Sequence, residues 1–182
     1  FKTGEIFKAG DLIKAMIVVS SNDAAAALVF SAGEREFIDA MQMKASGLKM
    51  FDAAYIEPTG LSALNQSTAS DLAKLTKYIY ENYPEILEIS RQKYLDIIEL
   101  KSGQPRRLIN VNHFAGQPEF LGGKTGYTEE ADRNLIALFR LKDKTFLTIV
   151  LGAKSAVEET KTMKEREQFL SPCHNGVFDK YG

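Results

Sequence analysis

Gly122-Gly123-Lys124-Thr125-Gly126-Tyr127-Thr128 is the stretch whose reading decides the fold. Two β-rich runs follow it, Asn134 to Leu141 and Thr145 to Leu151. Only Lys142-Asp143-Lys144 separates them, so the pair reads as an antiparallel hairpin. Glycines beside a strand let a ligand or a second backbone approach closely. The Lys124 triplet is therefore expected on an edge strand of that sheet. Upstream, Tyr94 to Leu100 and Arg106 to Val111 read as further strands around a Ser102-Gly103 turn. A charged helix from about Val157 to Leu170 follows the last strand.

Before residue 92 the pattern is helical. Asp11 is placed to cap a helix, and Leu12, Ile13, Met16 and Ile17 follow at helical spacing. Ser20-Ser21-Asn22 interrupts it, because these side chains bond to nearby backbone in preference to helix interior. Asn22 or Asp23 then caps a second helix, Ala24 to Ser31, which Gly33 stops. Its Ala24 to Ala27 run suits close approach of another backbone. A third helix, Glu34 to Ala45, carries Phe37, Ile38 and Met41 on one face and ends at Gly47. Pro58-Thr59-Gly60 is a turn. Thr68 with Asp71 forms a capping box ahead of Leu72, Leu75 and Ile79, and Pro84 ends that helix or starts a short successor.

A helical half thus precedes a sheet half, which is an α+β arrangement. At 182 residues, 45% hydrophobic and 26% charged, the chain can bury one ordinary core without staples. The single Cys173 cannot form an internal disulfide. A net charge of -1 gives no electrostatic case for nucleic acid as a partner. No apolar run approaches membrane-spanning length, so membrane attachment is not visible in the sequence. Phe1 is not a start methionine, and the chain is expected to be processed, trimmed or a fragment.

A Lys-Thr-Gly triplet in isolation reads as a polar turn, and a Ser-Ser-Asn triplet as a helix cap. Context adds chemistry to both. An ammonium on an edge strand can hold a carboxylate, and the strand's N–H groups can hold a peptide and its oxyanion. His113 and His174 lack metal-ligand spacing, and no metal site or cofactor is expected. The Lys161 to Glu167 charge run reads as a solvated helix face. Tyr78, Tyr80 and Tyr83 read as core and rim, and Cys173 as a structural or surface thiol.

The segment Ala15 to Leu28 resembles the second motif of the D-alanyl-D-alanine carboxypeptidases, the low-molecular-mass penicillin-binding proteins. Further matches run in the same order as in that family. They are Leu48-Lys49 leading to Pro58-Thr59-Gly60-Leu61, then Ser67 to Ala73, Asn110-Val111-Asn112, and Gly123 to Thr128 with its hairpin to Leu151-Gly152. The resemblance covers roughly residues 5–170. Such enzymes use a Ser-x-x-Lys, a Ser-x-Asn and a Lys-Thr-Gly in that order. It implies that Ser20 relays a proton and that Asn22 bonds the substrate amide and steadies the general-base lysine. Lys124 and Thr125 anchor a terminal carboxylate, Gly126 keeps the strand open, and the Tyr127 N–H is half of an oxyanion hole.

The first motif is absent from its place, since too few residues precede Ser20 to hold it. Ser46-Gly47-Leu48-Lys49 and Ser90-Arg91-Gln92-Lys93 come too late in the order. The former straddles a helix stop, and the latter is expected to open a strand, where residues three apart face opposite ways. The family also has Ala-Gly where Asp132-Arg133 stands here, and an arginine after the last strand where only Lys154 is found. Lysine lacks the bidentate fork of arginine.

The resemblance implies a penicillin-binding and serine β-lactamase-like domain over 1–182, its N-terminal part missing. A helical subdomain of 10–90 packs on an antiparallel sheet, with sheet hairpins and a C-terminal helix in 92–170. Ser20 and Asn22 line one cleft wall and Lys124 the other. The implied activity is serine D-Ala-D-Ala carboxypeptidase action on peptidoglycan stem peptides, outside the cytoplasm, with β-lactams as inhibitors. The chain alone is expected to be inactive and to form no stable penicillin adduct, because a serine hydroxyl needs an adjacent base. Two alternatives stand beside it. One is a β-lactamase, esterase or endopeptidase of the same fold, for which Glu57 lies in the interval that holds a deacylating glutamate. The other is a non-catalytic fragment or binding module.

Overall fold

Helix α1 spans Ala9–Val18 in the computed structural model, which describes residues 1–169. Its inward stripe, Ala15 and Val18, is fully buried against Ile97 and Leu108. Asp11 is not its cap. It lies inside the first turn, where its carboxylate takes the Lys14 ammonium at 2.7 Å and the Ile98 N–H at 3.4 Å. Helix α2 is Asn22–Ala32, and its cap is Ser21, whose Oγ accepts the Ala24 N–H at 3.2 Å. Sequence reading placed the cap one or two residues late. Only Ala24 and Ala25 of the alanine run are buried. Gly33, at φ 85, ends α2 and precedes α3, Glu34–Gly47. Helix α4 is Ala69–Asn82, capped by Thr68 accepting the Asp71 N–H at 3.1 Å. Half of the expected capping box is used otherwise: Asp71 turns its carboxylate to the Asp52 N–H and the Lys74 ammonium. Pro84 opens α5, Pro84–Arg91, its fixed φ suiting a first helical position.

The strands form two separate sheets instead of one. Strands β1, Tyr94–Ile98, and β2, Pro105–Ile109, make a two-stranded antiparallel ribbon. Its inner residues Ile97 and Leu108 join the α1 core, so this ribbon packs with the helices. The first ten residues dock against the same ribbon. Glu5 pairs with Arg106, and the Ile6 N–H donates to the Glu99 carboxylate at 2.9 Å. That N–H, the Ser102 hydroxyl and the Ser102 and Lys101 N–H groups hold the Glu99 pKa down to about 2.

The second sheet has the order β3-β4-β5, with β3 Phe120–Thr128, β4 Asp132–Leu141 and β5 Lys144–Ala153. The Lys-Thr-Gly strand is thus an edge strand, as its glycines suggested. Leu135, Ala137 and Phe139 point to one face, where Phe114 and Phe120 complete a buried cluster with Val150 and Ala156. Helix α6, Ala156–Phe169, lies on that face. Its charged run is not wholly solvated, for Lys164 pairs with Glu119 and sits 5.1 Å from the Phe139 ring centroid. Cys173 and His174 lie outside the described residues.

Strand β3 reaches the helical half through α5. A Cβ on Gly122 would stand 2.6 Å from Ser90 Oγ and 3.0 Å from the Leu87 backbone. A Cβ on Gly123 would stand 2.1 Å from the Ile136 carbonyl oxygen. Gly122 therefore lets the strand lie directly on α5, and Gly123 lets it lie close against β4. Gly123→Ala is expected to lower Tm by roughly 5–10 °C, since the obstruction is backbone and cannot rotate away. Gly126→Ala, whose Cβ meets only the Asn134 Cβ at 3.8 Å, should leave Tm nearly unchanged. Equal melting curves for the two variants would disprove the close-packing argument.

Candidate active site

Ser20 sits where α1 stops and α2 begins. The Val19 and Ser21 N–H groups both turn back to the Ala15 carbonyl, at 3.2 and 3.3 Å. That closure holds Ser20 in the left-handed region at φ 53. A non-glycine residue held there costs of order 1–3 kcal/mol and persists when its surroundings fix it. The result is a hydroxyl pushed out of the helical wall into an exposed position. Asn22, the first residue of α2, is exposed beside it, over the buried Ala24 and Ala25.

The opposite wall is β3. Lys124 crosses from it, donating to Ser20 Oγ at 2.7 Å and to the Thr125 carbonyl at 2.6 Å. The two triplets singled out in sequence therefore meet through one hydrogen bond. No carboxylate among the described residues forms an ion pair with Lys124. Burial without a counter-charge disfavours the ammonium and pushes its pKa from 10.5 down to about 8. The unfolded chain then binds the proton more tightly than the folded one. Lys124 thus penalises folding fully below about pH 8, and the penalty is relieved between about 8 and 10.5.

The edge of β3 is partly occupied. The Gly123 N–H turns away from β4 and donates to Ser90 Oγ at 3.0 Å. Backbone groups alternate along a strand, so those of Thr125 and Tyr127 also face outward. The Thr125 carbonyl takes the Lys124 ammonium, and the Tyr127 N–H lies farther along the same outer edge. The Gly126 position is open. Tyr127 is 58% exposed, and Arg133, directly opposite in register, lays its guanidinium 5.0 Å from the ring centroid. Lys154 is exposed in the turn after β5, next to Ala153, which pairs with Arg133.

Two further residues build the site and were given no role from sequence. Ser90 does not open a strand. It lies in the last turn of α5, 2% exposed, and donates to the Leu87 carbonyl at 3.0 Å. Asn110 donates to the Ser90 and Gln92 carbonyls, both at 2.8 Å. The next residue, Val111, donates its N–H to the Val18 carbonyl at 3.0 Å. The Asn110-Val111-Asn112 match was the available signal, but only the fold shows what it ties together.

Other sequence candidates have structural tasks. Glu57 accepts from the Thr59 N–H and hydroxyl, the Gly60 and Ser62 N–H groups and Asn65 Nδ2. Burial works to raise its pKa, but the Thr59 hydroxyl and the N–H groups of Ser62, Thr59 and Gly60 prevail and lower it. A carboxylate so occupied organises the turn and is a poor base. Ser46 and Lys49 flank the end of α3, Lys49 at φ 59, and both are exposed. Tyr78 and Tyr83 pack tilted at 5.6 Å, the Lys44 ammonium lies over the Tyr78 ring, and Tyr80 accepts from Arg140. Among the described residues no group of His, Cys, Asp or Glu is arranged to hold a metal ion. No helix among them is long and apolar enough to cross a membrane.

The family model for D-alanyl-D-alanine carboxypeptidase matches residues 1–155. A D-alanyl-D-alanine endopeptidase of Haemophilus influenzae is 34% identical over 91% of this chain and 58% of its own length. The D-alanyl-D-alanine carboxypeptidase DacC of Escherichia coli is 33% identical over 85% of this chain and 38% of its length. The chain thus spans about half the length of the curated relatives it matches. Among solved structures, penicillin-binding protein D2 from Listeria monocytogenes in its cefotaxime-bound form superposes with a TM-score of 0.76 at 27% identity. That match covers 89% of this chain and 66% of the other. A D-alanyl-D-alanine carboxypeptidase from Mycobacterium tuberculosis has a TM-score of 0.81 at 22% identity, over 92% and 66%, which shows the shared fold.

Proposed function

The chain belongs to the D-alanyl-D-alanine carboxypeptidase family, and on that footing we propose that its cleft is two walls of a serine carboxypeptidase site for peptidoglycan stem peptides ending in D-Ala-D-Ala. The observation that carries the reading is the 2.7 Å hydrogen bond from Lys124 to Ser20, which joins the two triplets across the cleft. An extended peptide lies along the outer edge of β3. Its terminal carboxylate meets the Lys124 ammonium and the Thr125 hydroxyl, and its amide meets Asn22. The Tyr127 N–H faces the carbonyl oxygen on which charge develops, and Gly126 leaves room for the peptide backbone.

The nucleophile is a serine paired with a lysine one helical turn away, supplied from outside these 182 residues. Its oxygen attacks the carbonyl of the penultimate D-alanine, the peptide C–N bond breaks, and D-alanine leaves with a proton relayed through Ser20. Water then hydrolyses the ester. A penicillin follows the same first step and stays as a slow adduct. The site of action is the outer side of the cytoplasmic membrane. The identity to the Haemophilus influenzae endopeptidase favours a second reading, cleavage of a D-alanyl cross-link with the same residues. Release of free D-alanine separates the two.

Binding of acetyl-L-lysyl-D-alanyl-D-alanine to the chain, followed by NMR, tests the cleft. The peptide should bind weakly at pH 7 and lose roughly tenfold in affinity as Lys124 deprotonates above about pH 8. Its C-terminal amide should bind less and show no such trend. Equal binding of acid and amide at all pH values counts against the carboxylate anchor.

A further inference from the structure

We propose that Ser90 is a positioning residue that couples the two walls, fixing Lys124 against Ser20 and setting the point from which β3 is open to a peptide. The hydroxyl of Ser90 is the link to the sheet wall. It accepts the Gly123 N–H at 3.0 Å, immediately before Lys124, and donates to the Leu87 carbonyl within its own helix. The carbonyl of Ser90 is the link to the helical wall. It accepts Asn110 Nδ2, and Val111 then holds the carbonyl of Val18, two residues before Ser20. One buried residue thus joins the segments that carry both partners of the Lys124 to Ser20 bond.

The surrounding packing leaves this contact no slack. Gly122 has no room for a Cβ against Ser90 and Leu87 of α5, and Gly123 has none against Ile136 of β4, so β3 is held closely between the two. A register shift between Phe120 and Gly122 turns the strand at this point. Beyond Gly123, strand alternation turns the backbone groups of Thr125 and Tyr127 to the same outer edge. Ser90 therefore ends the sealed part of the edge, one residue before the ligand-facing part begins. A hydroxyl suits this task because it donates to the helix carbonyl and accepts from the strand at once. Alanine would leave the Gly123 N–H without its acceptor in a part-buried place.

The proposal rests on Lys124 as the anchor of the proposed function, yet its test needs no substrate. Backbone amide exchange of the unmodified chain should be at least roughly tenfold slower at Gly123 than at Thr125 and Tyr127. Equal exchange at the three amides overturns the proposal, whatever a variant does. In Ser90→Ala the side-chain titration of Lys124, read by NMR, should move up from about 8 toward the ordinary lysine value as the ammonium gains solvent. Ser90→Thr, which keeps the hydroxyl, should restore the low value. Leu87→Val, which loosens the same helix without touching the hydrogen bond, should lower Tm and leave the titration near 8. A Lys124 titration unchanged in Ser90→Ala, or shifted as far in Leu87→Val, overturns the proposal. A chain that meets both expectations but binds no D-Ala-D-Ala peptide overturns the functional reading alone.

Discussion

Lys124→Met is expected to remove recognition of peptides with a free C-terminal carboxylate and to raise Tm at the same time. The two effects share one cause. The ammonium sits in a partly buried cleft with no carboxylate among the described residues to balance it, so burial has lowered its pKa to about 8. An ion held under such tension binds an incoming anion better than a lysine already paired. It also destabilises the empty fold. Methionine keeps most of the apolar stem and removes the charge. Affinity for a D-Ala-D-Ala acid should fall by about tenfold to a hundredfold, and Tm should rise by roughly 2–4 °C. Lys124→Arg keeps the charge, but a planar guanidinium cannot reproduce the compact contact with Ser20 and the Thr125 carbonyl. It should retain part of the affinity. Calorimetry of the variants with the acid and amide peptides decides the matter. A methionine variant that binds the acid as well as the parent removes Lys124 from the anchor, and one with a lower Tm contradicts the unpaired-charge argument.

The local parts of this structure were legible in sequence. Thr68 capped the helix it was expected to cap, and the Lys142-Asp143-Lys144 hairpin formed, with Lys142 at φ 55. Side-chain chemistry and turn chemistry act within a few residues, so a string of letters carries them. What sequence missed was settled by residues distant along the chain. Asp11 abandons the cap because Lys14 and the Ile98 N–H offer better partners. Asp71 leaves its box half closed because the Asp52 N–H is exposed to it. The ribbon of Ile97 and Leu108 joins the helices because α1 presents Ala15 and Val18 to it, and no strand pattern announces that preference. The site divides the same way. The order of the triplets identified Ser20, Asn22, Lys124, Thr125, Gly126 and Tyr127 as candidates. The contact of Lys124 with Ser20, the lowered pKa of Lys124 and the link through Ser90 all depend on how β3 is seated beside α5.

Phe139→Ala is expected to unfold the second sheet at a temperature about 6–20 °C below the parent and to take peptide binding with it. Phe139 is 1% exposed and lies at the meeting point of three rings. It stands edge-on to Phe114 at 5.1 Å and tilted to Phe120 at 5.6 Å. The Lys164 ammonium of α6 covers its face. Truncation to alanine removes about 3–5 kcal/mol, through lost burial and the cavity that remains. Neighbours cannot readily collapse into that space, since the facing groups are the Phe114 and Phe120 rings, fixed on separate segments. Strand β4 carries Phe139 in register with Phe120 of β3, and past the register shift at Gly122 the two strands stay paired as far as Lys124 opposite Ile136. Loosening the cluster therefore frees the edge strand, although no atom of Phe139 belongs to the cleft. A more conservative Phe139→Leu should lose less stability and keep binding at low temperature. If Phe139→Ala melts like the parent, the aromatic cluster is not what seats β3, and the burden falls on the contact between Gly123 and Ser90.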